Sequence, residues 1–206
     1  WRANEPVVAE VSPDHLLMIM RTPLGRFFQS WSSDNGTTWS HPEPTALATA
    51  LAPAALERIP NTDDLLLIWN QASADEIERG LQRHRLSTAI SRDGGTTWLR
   101  GRNLFSVYGE DDRRFIEPPP IANHRSLELA PRLPANDIQG TYPSVTFLHD
   151  STIVRLHVKS PSTIVSTDEG GRNRQEVQKK GREDDAYISL PTSWFYEHLT
   201  YFDSTT

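Results

Sequence analysis

Short apolar runs separated by turn residues recur along the chain and align as three units. The first runs Glu5-Pro6-Val7-Val8-Ala9-Glu10-Val11, turns at Ser12-Pro13-Asp14-His15, and continues through Leu16-Leu17-Met18-Ile19-Met20-Arg21 and Phe27-Phe28-Gln29-Ser30-Trp31. The second has Ala52-Pro53-Ala54-Ala55-Leu56, a turn near Pro60 to Asp63, then Leu65-Leu66-Leu67-Ile68-Trp69 and Leu86-Ser87-Thr88-Ala89-Ile90. The third has Tyr142-Pro143-Ser144-Val145-Thr146-Phe147-Leu148, a turn at His149-Asp150, and Ile153-Val154-Arg155-Leu156-His157-Val158. Runs this short with turn chemistry between them predict an antiparallel meander.

The first two units end in full copies of one turn motif, Ser-x-Asp-x-Gly-x-Thr-Trp, at Ser32 to Trp39 and Ser91 to Trp98; the third ends in a decayed copy, Ser166 to Gly170, without the Thr-Trp. In this Asp box, Asp34 and Asp93 can accept backbone N–H bonds, and Gly36 and Gly95 permit positive φ. Trp39 and Trp98 are expected to plug between neighbouring sheets. The boxes are a folding device; they start 59 residues apart, a period that fits four-stranded β-propeller blades with one enlarged loop and leaves a β-sandwich open.

The expected fold is therefore all-β, a partial antiparallel propeller in one domain over 1–206, with repeats at about 5–48, 51–107 and 141–170. Residues 75–82 read as helix or loop, 108–140 as a long loop, 168–185 as a solvated, charged loop, and 186–206 as a last strand or short terminal element packed on the sheet.

Composition narrows the functional classes. The 206 residues are 36% hydrophobic and carry a net charge of −6 from interspersed charges, which argues against nucleic acid or an anionic membrane as a partner. The longest mostly apolar run, Ala46 to Leu56, is too short to span a bilayer. There is no cysteine, and the seven histidines lack metal-ligand spacing, so neither a metal nor another cofactor is expected. The chain starts at Trp1 without Met, a basic stretch or an apolar leader, from which further sequence upstream is expected.

Hairpin geometry points to a site at the end of the units away from the boxes. Glu5 and Arg21 are symmetric about position 13, inside the first turn, and should face each other at the open end of the hairpin. Tyr142 holds in the third unit the place of Glu5 in the first, each directly before a proline. Arg83 lies eight residues before its box serine, where the next strand leaves the same rim. Residues from three repeats converging on one rim are what a site on repeated units requires. His84, Arg85, Arg113, Arg114, Arg155 and His157 read instead as solvated or structural.

With these residues in place the chain resembles the sialidase (neuraminidase) family, a fold of six propeller blades, over about Glu5 to Val158. The hairpin Glu5-Pro6-Val7-Val8-Ala9-Glu10-Val11 closing on Arg21 is similar to the family's glutamate and second triad arginine. Arg83, ahead of Ser91-Arg92-Asp93-Gly94-Gly95-Thr96-Thr97-Trp98, resembles the third. Tyr142 in Gly140-Thr141-Tyr142-Pro143-Ser144-Val145 resembles the nucleophile, although Pro143 departs from the commoner motif. The resemblance implies Tyr142 as nucleophile, Glu5 as its base, and Arg21 and Arg83 as grips on the carboxylate of a sialylated or related acidic glycan. The family's first triad arginine and acid/base aspartate normally precede the segment of Glu5 and are assigned to no residue here. A non-catalytic propeller that binds glycan or protein is the alternative, and oligomeric state is left open.

Overall fold

A computed structural model describes residues 3–109, 112, 116–120, 138–149, 151–159, 163–168, 174–179 and 183–201. It is an all-β structure of antiparallel sheets, none closed on itself. The first sheet holds β1 (Asn4–Ser12), β2 (His15–Arg21), β3 (Arg26–Ser32) and β4 (Glu43–Ala48) in sequence order. The second holds β5 (Ala55–Arg58), β6 (Leu65–Trp69), β7 (Arg85–Ser91) and β8 (Leu99–Ser106), with a helix α1 (Ala74–Glu78) between β6 and β7. The third begins with β9 (Gln139–Phe147) and β10 (Thr152–Lys159). A separate hairpin of β11 (Thr163–Asp168) and β12 (Arg174–Lys179) follows, and β13 (Glu183–Leu190) then pairs with β10. A 3-10 helix (Thr192–Tyr196) leads to β14 (Thr200–Tyr201), which pairs with β8.

The middle sheet is covered on both faces, and β6 shows why. Its run Leu65-Leu66-Leu67-Ile68-Trp69 is buried throughout, the signature of a strand with packing on each side. Successive side chains alternate between faces. Leu65, Leu67 and Trp69 accordingly join Leu17, Ile19 and Phe27 of the first sheet in one core, while Leu66 and Ile68 join Val154 and Leu156 of the third in another. Phe195 of the 3-10 helix closes the second core, fully buried.

Both complete boxes use the same hydrogen bonds. Ser32 Oγ donates to Asp34 Oδ1 at 2.7 Å and Ser91 Oγ to Asp93 Oδ1 at 2.9 Å. The Gly36 and Gly95 N–H groups each donate to their serine Oγ at 2.8 Å. Thr38 and Thr97 donate both N–H and hydroxyl to their aspartates. Packing separates the two boxes. Trp98 is buried between the first and second sheets, as expected, but Trp39 is half-buried on the far face of the first sheet and bonds the Gly36 carbonyl at 3.0 Å. Among the described residues no sheet packs beyond that face.

Residues 168–185 are not the solvated loop expected: they include β12 and the start of β13. Mean hydropathy misses a strand whose outer face is charged. In β13, Ala186, Ile188 and Leu190 pack on the second core, while Glu183 and Asp185 meet Lys159 at 2.7 Å and Arg155 at 2.8 Å across the ladder; such cross-strand pairs support a sheet. The third sheet thus takes its third strand from 183–190, beyond the 141–170 read from the sequence. Ser166 to Asp168 of the decayed box end β11, and Glu169 and Gly170 lie outside the described residues.

Candidate functional site

The rim opposite the boxes is formed by the start of β1, the end of β2, the lead into β7 and the start of β9. Antiparallel pairing places Asn4 opposite Arg21, and the adjacent Glu5 reaches Arg21, Oε1 to Nη2 at 2.6 Å. Arg21 is mostly buried and Glu5 is open to solvent, with side chains 13% and 45% exposed. The Arg21 Nη1 also donates to the Leu51 carbonyl at 3.4 Å, and its Nε is buried without a partner among the described residues.

Arg83 is half-buried, with its guanidinium 5.5 Å from the centre of the Tyr142 ring. That separation is within cation–π range. Burial holds the Arg83 guanidinium below the ordinary arginine range; Arg21 adds to the lowering, while Tyr142 and Glu5 oppose it. Arginine stays protonated at any physiological pH, so the shift matters here as a record of proximity. Arg83 senses all three other residues named from the sequence, and the four share one rim. Tyr142 is 46% exposed and accessible there.

Backbone contacts bring β9 to Arg83. The Gly140 N–H donates to the Arg83 carbonyl at 3.1 Å, and Asn70, fully buried, donates from Nδ2 to both the Arg85 and Gly140 carbonyls at 3.0 and 2.8 Å. A Cβ at Gly140 would stand 2.9 Å from Leu156 Cδ1 and 3.4 Å from Phe105 Cδ1, so a larger residue there would push these side chains aside.

Two residues on from Arg83, Arg85 anchors the surrounding loops. Its Nε donates to Asp112 at 2.6 Å, and its Nη atoms donate to Glu76 at 3.2 and 3.0 Å and to the Gln71 carbonyl at 3.0 Å. Burial pushes the Glu76 carboxyl up, but the Arg85 bond and the Ser73 N–H outweigh it, and it lies below its ordinary range. Glu76 also closes the α1 capping box with Ser73. Removing one partner of such a buried group is costly, so Arg85 helps hold these loops in place. In the first sheet Arg26 has the same place, each arginine six residues before its box serine. Arg26 donates to the Thr45 and Pro119 carbonyls. The sequence reading missed Asn70, Glu76 and Asp112, and only the shared spacing of Arg26 and Arg85 signalled this layer. Arg155 and His157 lie on the outer face of the third sheet against Asp185; Arg113 and Arg114 lie outside the described residues.

Solved structures identify the kind of fold that carries this rim. The α-L-arabinanase of Penicillium chrysogenum, complexed with arabinobiose, superposes with a TM-score of 0.51 at 13% identity, covering 93% of this chain and 51% of that one. The α-L-arabinofuranosidase Arb93A of Fusarium graminearum, in complex with an iminosugar inhibitor, gives 0.50 at 13% identity, covering 77% of this chain and 45% of that one. The chain spans about half the length of these structures. The likeness is one of fold, and that fold is propeller-like. The chain belongs to the BNR repeat-like domain family, which matches residues 1–158. No curated protein matches it in sequence.

Proposed function

We propose that the rim of Glu5, Arg21, Arg83 and Tyr142 binds an acidic sugar and belongs to a retaining, sialidase-like glycoside hydrolase. In this reading the three sheets are successive blades of a six-bladed ring. The observation that carries the proposal is Arg83 within electrostatic reach of Glu5, Arg21 and Tyr142.

The chemistry follows from the substrate class. Sialic acid bears a carboxylate on its anomeric carbon, which repels an anionic nucleophile; a neutral phenol avoids this, and sialidases are an exception to the two-carboxylate scheme. Glu5 takes the phenol proton as Tyr142 Oη attacks the anomeric carbon, and the leaving oxygen departs with a proton from an acid/base carboxylate. Water then cleaves the tyrosyl–sugar bond, and Tyr142 recovers its proton. Arg21 and Arg83 hold the sugar carboxylate, a task suited to the guanidinium fork. The acid/base aspartate and a third arginine are not assigned to this chain, so it is expected to bind acidic sugars and to show little or no turnover by itself.

The test is a panel of acidic and neutral aryl glycosides. Hydrolysis confined to the sialoside and abolished by Tyr142→Phe supports the proposal. Cleavage of neutral arabinosides, the sugar of the Penicillium and Fusarium complexes, would replace it with a pentosidase reading. Acidic-sugar binding without turnover in the full-length protein would make this a glycan-binding propeller.

A further inference from the structure

We infer that Pro6 and Pro143 are positioning residues: matched proline bulges at the starts of β1 and β9 turn Glu5 and Tyr142 into the rim. In β1, Asn4 pairs with Arg21 and Val7 with Ile19, so Glu5-Pro6 together oppose the single residue Met20. In β9, Thr141 pairs with His157 and Ser144 with Arg155, so Tyr142-Pro143 oppose Leu156. The two bulges are the same device in two repeats. Each has proline second, where the missing N–H takes that position out of the ladder.

The first residue of each bulge has positive φ, 41° for Glu5 and 50° for Tyr142. Glycine is the ordinary occupant of such a position, and a following proline restricts the choice further. The other non-glycine residues with positive φ, Asp14, Asn35, Asn61 and His198, all lie in turns. Among the described residues, only Glu5 and Tyr142 hold this conformation inside a strand. They are also the residues that meet Arg21 and Arg83. Strain retained where two reactive side chains are aimed points to a functional constraint. The second sheet supplies the contrast: at the matching Ala52-Pro53, Ala52 is fully buried and lacks positive φ.

The bulge sets which way Tyr142 faces. Thr141 and Pro143 on either side are buried, and Tyr142 stands out at the rim. A regular ladder without the extra residue would shift the alternation by one and change the face that Tyr142 occupies.

This inference rests on the proposed reading of the rim for its catalytic consequence, but its geometry can be tested separately. Thermal unfolding compares Tyr142→Gly with Tyr142→Ala, and Glu5→Gly with Glu5→Ala. Positive φ predicts that each glycine variant melts higher than its alanine partner by about 2 °C or more, and that Pro143→Ala erases the Tyr142 difference. The second arm is fluorine NMR of 3-fluorotyrosine-labelled protein, with the Tyr142 resonance assigned by its loss in Tyr142→Phe. In the parent protein Arg83→Met moves this resonance; in Pro143→Ala it no longer does, whereas Pro53→Ala, which controls for lost stability, leaves the dependence intact. If the parent turns over a sialoside, Pro143→Ala lowers kcat about tenfold or more with KM within about twofold. Without turnover in the parent, the first two arms decide. Alanine variants as stable as glycine variants, or an Arg83 dependence that survives Pro143→Ala, would overturn the inference.

Discussion

The two ends of the sheets are built on opposite principles. At the box end, every recurring polar contact is local: serine, aspartate, glycine and threonine within one short turn satisfy each other, and positive φ falls on turn residues, glycine in both boxes with Asn35, Asp14 and Asn61 beside them. At the rim, contacts join residues far apart in sequence, Glu5 and Tyr142 hold positive φ inside strands, and the Arg21 Nε and Asn70 Oδ1 are buried without partners among the described residues. The box end holds the fold together, whereas the rim spends stability on placing reactive groups, as functional sites commonly do.

That contrast breaks most readily at Trp98. Truncation to alanine empties a core position between two sheets and is expected to cost about 3–5 kcal/mol, against under about 1 kcal/mol for Trp39→Ala on the half-buried outer face. Equal losses in urea unfolding would show that the boxes pack alike. Next comes Gly95, where φ is +91° and an added Cβ would stand 2.2 Å from Leu17 Cδ2. Gly95→Ala is expected to cost about 2–4 kcal/mol. At Gly36 the nearest atom, Leu16 Cδ1, is 3.3 Å away, so Gly36→Ala should cost about half as much.

Acid sharpens the comparison more gently. Hydrogen bonds from the Thr38 hydroxyl and N–H, with that from Ser32, lower the Asp34 carboxyl from 3.8 to about 2. Burial opposes the same shift at Asp93, and the Thr97 and Ser91 bonds outweigh it. A folded-state value below the unfolded one means stability that is present above the unfolded value and lost as pH falls through the folded value. Denaturant midpoints should therefore fall between pH 4 and pH 2, at which Asp34 is half-protonated, with a smaller fall in Asp34→Asn. A pH-independent difference between the two proteins in that window would remove the boxes from acid stability. The smallest expected stability change is at the rim: Arg83→Met should alter unfolding by about 1 kcal/mol or less, because its side chain serves the site more than the core.

Much of this architecture was legible because repeats and hairpins are local. The symmetry of Glu5 and Arg21 about one turn found their contact, although the bulge makes Asn4 the strand partner of Arg21, and the shared prolines placed Tyr142 level with Glu5. Other features depend on what is distant in sequence. Arg85 meets Asp112 across an intervening strand and turn, Asn70 reaches Gly140 from another sheet, and β13 becomes a strand only because β10 offers partners for its charges. The bulges were half visible: the prolines stood in the sequence, but the positive φ ahead of them did not.

The most direct measurement is the affinity of free sialic acid and of arabinose for the protein and for its Arg21→Met and Arg83→Met variants, by calorimetric or NMR titration. The account predicts that sialic acid binds, that each substitution weakens it about tenfold or more, as expected when a charge-assisted pair is lost, and that arabinose binds no better to the parent than to either variant. Sialic acid affinity unchanged by Arg83→Met, or arabinose bound as tightly as sialic acid, would contradict it.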